Sequence, residues 1–128
     1  MSGSEGYGTV SNAAKPPLTR KRRLKTWSTA KLDELIEEAI VDAYGESEQI
    51  GGFYTMLEDH LAVPFVIDML GVEVTVKRVD LTRDDHIVAV CERGTSRQRI
   101  PILDVPRPDP QPAGWEWVEA HRRWARGR

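Results

Sequence analysis

An α+β fold is predicted for this 128-residue chain: an N-terminal helical hairpin packed on a small antiparallel, SH3-like β-barrel, followed by a short C-terminal helix. Three observations lead there. Apolar residues recur at helical spacing from Leu32 to Ala43 and again from Phe53 to Leu61. From Phe65 the pattern changes to runs rich in Val, Ile and Thr, separated by short polar turns. After a Pro-rich stretch, the final GWEWVEAHRRWARG returns to a helical pattern. With 40% hydrophobic and 30% charged residues, the composition fits one globular domain with tails.

The expected organisation is a disordered basic arm over residues 1–25, a hairpin-plus-barrel domain over 26–105, a Pro-rich spacer over 106–113, and a C-terminal helix with a basic end over 114–128. The arm is rich in Gly, Ser and Pro and ends in TRKRRLK, a composition that cannot bury enough apolar surface to offset the entropy of ordering. Ser28 suits an N-cap, and Trp27 and Leu32 occupy the two positions of a hydrophobic staple. The first helix is therefore expected from about Thr29 to Tyr44, with Gly45 as a left-handed end. Leu32, Leu35, Ile36, Ala39, Ile40 and Ala43 make its apolar stripe, and Asp33, Glu34, Glu37, Glu38 and Asp42 its outer face. Gly51-Gly52 leads into a second, shorter helix from Phe53 that Pro64 stops. Four strands follow as FVIDML, EVTVKRVDL, HIVAVCE and RQRIPILDV. PRPDPQP reads as an extended spacer, and the four Trp residues as core anchors at the ends of the domain.

Charge is the strongest functional clue. Between Leu32 and Val76 there are eleven acidic residues and neither Lys nor Arg, although the chain's net charge is only −2. Solvated helix faces commonly mix signs, whereas Asp33/Glu37, Glu34/Glu38 and Glu38/Asp42 are like charges four residues apart, each costing about 0.2–0.5 kcal/mol. If the first helix reaches Tyr44, then Asp42, Glu46 and Glu48 also crowd its negative end. A bound cation relieves both costs. Spread carboxylates suit the loose, all-oxygen shell of calcium better than the tight octahedron of magnesium. Spacing excludes an EF-hand, since counting from Asp42 the sixth position is Ser47 rather than Gly and the twelfth is Phe53 rather than Glu. The expected site is a weak one, in the range of about 10⁻⁴–10⁻³ M. Asp42, Glu46 and Glu48 at the helix end, and Asp33, Glu34, Glu37 and Glu38 on the helix face, are the carboxylates such an ion would relieve.

Other chemistries find little purchase. His60, His86 and His121 do not fall at ligand spacing with Cys91, and Glu58-Asp59-His60 and Asp84-Asp85-His86 are adjacent residues that point different ways. No phosphate loop, nucleophile motif or cofactor fingerprint is present, so no enzyme is expected. No run approaches the roughly 18 apolar residues of a membrane span, and the N-terminus lacks a secretory signal, so a cytoplasmic protein is expected. Two rival readings stand beside calcium binding. The basic ends, with Trp124 among the terminal arginines, suit a nucleic-acid-binding module, although the anionic body would repel nucleic acid. The acidic helix face suits a protein-interaction module with a basic protein partner.

The stretch EEAIVDAYGESEQIGGFYTMLEDHLAVPF, followed by GVEVTVKRVDL, HIVAVCERG, RIPILDV and WEWVEAHRRWA, resembles the CcbP-like bacterial family of calcium-binding proteins. The likeness runs from about Trp27 to Asp104 and extends to the last helix. It rests on the acidic VDAYGESEQ turn, the aromatic-led short helix and the Val63-Pro64-Phe65 entry to the sheet. The resemblance implies calcium buffering or sequestration in the cytoplasm, with Asp42, Glu46 and Glu48 in the matching turn and Glu58 and Asp59 in the matching helix.

Overall fold

A computed structural model describes residues 25–127. The element order is α1 (Thr29–Ala39), α2 (Glu46–His60), β1 (Phe65–Met69), β2 (Val72–Leu81), β3 (Ile87–Arg93), β4 (Ser96–Pro101), a 3₁₀ turn (Ile102–Asp104) and α3 (Trp115–Arg126). Most of the basic arm read from the sequence lies outside the described residues.

α1 begins as its cap dictates. The Ser28 side chain accepts from the Lys31 N–H at 3.1 Å, and Trp27 and Leu32 are half-buried against the core. The helix stops at Ala39 rather than near Tyr44, because Ile40 caps it and Asp42 then takes a left-handed φ of 62°. Gly45 is therefore not a left-handed helix end. Its φ is −139°, and it is the N-cap of α2. α2 in turn starts at Glu46, well before Phe53, and runs straight through Gly51-Gly52. Gly52 is where α2 crosses α1: a Cβ there would overlap the Ala39 carbonyl oxygen, so only glycine permits the approach.

The four strands form one antiparallel meander in the order β1-β2-β3-β4. The expected barrel is thus an open sheet, with no ladder joining β1 to β4 among the described residues. A bulge between Val76 and Arg78 shifts the β2–β3 register. One face, with Phe65, Ile67, Val76, Ile87, Ala89 and Cys91, packs on the helices. On the other, Val88 and Val90 are buried between Arg78, Asp80 and Arg99, their cross-strand neighbours, and both arginines approach Asp80, at 4.0 and 3.6 Å.

The helices do not form a stand-alone hairpin, because α3 packs against both α1 and α2. Trp115, Trp117, Val118 and Ala120 of α3 are buried in the main cluster with Phe53 and Leu57. At its heart, Phe53 meets the rings of His121 at 5.0 Å and Trp124 at 5.2 Å. α3 also buries charge. Glu119 accepts from Arg107 at 2.8 and 3.1 Å, from the Trp115 indole at 2.8 Å and from Arg122 at 3.4 Å. Arg122 also donates to the Val105 carbonyl. Burial disfavours the Glu119 charge, but these donors outweigh it and hold the carboxyl below the usual carboxylate range.

His121 is the acid-sensitive point of this core. It is buried, its Nδ1 finds no partner among the described residues, and burial plus the Arg122 charge lower its pKa from 6.5 to about 4. The unfolded chain therefore binds the extra proton first. The stability of the neutral form is complete above pH 6.5 and declines as the pH falls toward about 4. The loss is about 2 kcal/mol by pH 5, before most carboxylates titrate, and about 3 kcal/mol in all. Urea midpoints measured at pH 7 and pH 5 should show this drop, and His121→Phe should remove most of it. An equal drop in the variant would place the acid sensitivity elsewhere.

Candidate functional site

All nine carboxylates singled out from the sequence are exposed. Asp33, Glu34, Glu37 and Glu38 lie on α1 opposite its buried Leu35 and Ala39, so the anionic face forms as the periodicity requires. Asp42 lies in the α1–α2 turn, Glu46 and Glu48 in the first turn of α2, and Glu58 and Asp59 in its last.

Asp33, Glu48 and Glu58 each accept a hydrogen bond. Asp33 accepts from the Arg123 guanidinium at 2.8 Å, an ion pair that ties α1 to α3; this hydrogen bond lowers the Asp33 pKa and raises that of Arg123. The pair is exposed and contributes little to stability, but it removes Asp33 from the uncompensated field. Glu48 accepts from the Tyr44 backbone N–H at 2.8 Å, and Glu58 from the Tyr54 hydroxyl at 3.0 Å. Burial, followed by Glu58 itself, raises the Tyr54 pKa.

The helix boundaries change one electrostatic argument. With α1 ending at Ala39 and α2 starting at Glu46, Glu46 and Glu48 stand at the positive end of α2. Acids there are stabilised rather than crowded, by roughly 0.3–1 kcal/mol each. Asp42 lies beyond α1, so Glu38/Asp42 is no helical i,i+4 pair. What remains of the repulsion is Asp33/Glu37 and Glu34/Glu38 within α1, and Arg123 relieves the first of these.

The donor chemistry is that of a hard cation, since every candidate is a carboxylate oxygen. The geometry is not a closed cage. Among the described residues, no three Asp, Glu, His or Cys side chains stand close enough together to hold a metal ion. Cys91 is buried, and desolvation raises its thiol pKa, which disfavours the thiolate needed for metal binding or attack. Among the described residues, no helix is long and apolar enough to cross a membrane.

Comparison with known proteins adds identity to this chemistry. The CcbP family model, described as calcium binding, matches residues 33–124. Two solved structures share the fold. One is the crystal structure of Anabaena CcbP, at 20% identity with a TM-score of 0.64 over 82% of this chain and 98% of that one. The other is a calcium-binding protein in the calcium-binding form, at 21% identity with a TM-score of 0.58 over 76% of this chain and 91% of that one. No curated protein matches.

Proposed function

We propose, from the premise that this chain belongs to the CcbP family of calcium-binding proteins, that it is a non-enzymatic, low-affinity calcium buffer of the cytoplasm. The observation that carries the low affinity is the lack of any convergent cluster of acidic or imidazole side chains among the described residues. An ion held by separate exposed carboxylates keeps much of its water, and its attraction is screened within about 8 Å at physiological salt. In this reading Asp42, Glu46 and Glu48 supply oxygens at the α1–α2 turn, where backbone carbonyls are further hard donors. Glu34, Glu37 and Glu38 provide the surrounding field. Asp33, held by Arg123, adds little, and Glu58 and Asp59, at the far end of α2, form a separate and weaker patch.

Substituting the turn tests the assignment. Two unit charges 4 Å apart in water interact by about 1 kcal/mol, and a divalent ion doubles this, so loss of one direct carboxylate should weaken binding about thirtyfold. Glu46→Gln/Glu48→Gln should then abolish most calcium-dependent amide shifts between residues 40 and 50, while Asp33→Asn leaves them nearly unchanged. Shifts spread evenly over all acidic residues, or insensitive to the double substitution, would defeat the ligand assignment.

A further inference from the structure

Among the described residues, the first strand leaves a hydrogen-bonding edge open beside a groove. Leu70 and Gly71 have φ of 55° and 82°, the two positive values of a type I′ hairpin turn, and they close the Met69↔Val72 pair. In such a hairpin the closing pair is hydrogen-bonded, and bonded and non-bonded pairs then alternate. Val66↔Thr75 and Asp68↔Glu73 are thus the non-bonded pairs, and the backbone N–H and C=O groups of Val66 and Asp68 point away from β2. β1 is an edge of the sheet, and among the described residues no backbone bond reaches those groups. An exposed edge of this kind is a template for another strand.

The groove along it has a volume of about 980 Å³ and lies between β1 and the Pro-rich segment 107–112. The apolar part of the groove's lining comes from Phe65, Val66 and Ile67 on one side and Pro108, Pro110 and Pro112 on the other. The groove's charge is negative. Asp68 and Glu73 stand directly opposite one another across the strands, an unfavourable like-charge pair, and Asp109 lines the other wall. Arg107, the one base in the lining among the described residues, is already bound by Glu119 through two hydrogen bonds.

We propose that this groove binds an extended peptide segment of another protein, with alternating basic and apolar side chains, as a fifth strand beside β1. The outward backbone groups of Val66 and Asp68 supply the ladder, Asp68 and Glu73 receive the basic side chains, and the apolar lining from Ile67 and the prolines of the facing segment receives the others. The site is separate from the α1–α2 turn and does not depend on calcium.

The probe is a synthetic ten-residue peptide of alternating arginine and valine, titrated into the full chain and followed by amide NMR and hydrogen exchange. Shifts should concentrate at residues 64–70 and 107–112, and exchange should slow at the Val66 and Asp68 amides. Asp68→Asn/Glu73→Gln should weaken binding about tenfold. Val66→Pro, which removes one outward donor without touching a bonded pair, should abolish it. If that variant fails to fold, the double substitution and the exchange pattern decide. Shifts centred on α1, equal binding of a glutamate–valine peptide, or undiminished affinity in the folded variants would overturn the proposal.

Discussion

Replacing Trp115 by Ala is expected to lower the unfolding free energy by about 3–5 kcal/mol, a large share of the roughly 5–15 kcal/mol typical of a domain. Trp115 is fully buried and meets Phe65 edge-on at 6.0 Å, with the Arg122 guanidinium 5.4 Å from its ring centre. It sits where α3 meets the entry to the sheet, so truncation opens a cavity between two elements that no local contact can close. The substitution also takes the indole donor from Glu119, a carboxylate buried to 9% exposure. Trp115→Phe separates the two effects: it keeps most of the packing and should cost about 1–3 kcal/mol for the lost hydrogen bond. Urea unfolding followed by the fluorescence of the other tryptophans measures both. A cost below about 1 kcal/mol for the alanine variant would show that α3 is not integral to the core.

Glu119→Leu should be nearly as damaging, at about 3–5 kcal/mol, because it strands Arg122. That guanidinium is buried, its Nε already has no partner among the described residues, and burial lowers its pKa against the pull of Glu119. Without Glu119, the remaining acceptor described for it is the Val105 carbonyl. Adding Arg122→Met should recover much of the loss, since an apolar pair of similar volume is often no worse than a buried ion pair. Failure of the second substitution to rescue the first would place the cost in Arg107 and the Pro-rich segment instead. The pH dependence has a definite sign. The Glu119 pKa is held down in the folded state, so its stabilisation is present above the unfolded value of 4.5 and is lost as the pH falls through the folded value. This loss falls mainly below the range in which His121 acts.

Much of the fold could be read locally. Ser28, Trp27 and Leu32 mark the start of α1, and the alternation after Phe65 marks four strands, because caps, staples and strand faces are set by residues a few positions apart. What escaped depends on contacts distant in sequence. Gly51-Gly52 reads as a helix breaker until Gly52 is seen against the Ala39 carbonyl. Closure of the sheet would need β1 to pair with β4, and nothing in either strand's own pattern reports that pairing. The burial of Glu119 and Arg122 in α3 is a case in point, since only the return of Arg107 across twelve residues shows why it is tolerated. In the candidate site, the composition revealed the acidic stretch. It could not reveal that Arg123, ninety residues away, claims Asp33, nor that the α1–α2 turn places Glu46 and Glu48 at a helix start.

The central claim is that calcium binds this anionic surface weakly and without a preformed cage. Calorimetric titration of the full chain with calcium, and separately with magnesium, at physiological salt tests it most directly. The expected result is saturable calcium binding at about 10⁻⁴–10⁻³ M, weakening as salt rises and weaker still for magnesium. Saturation at micromolar calcium that salt does not affect would contradict it by requiring an enclosed ligand shell, and an absence of saturable heat up to several millimolar would contradict it outright.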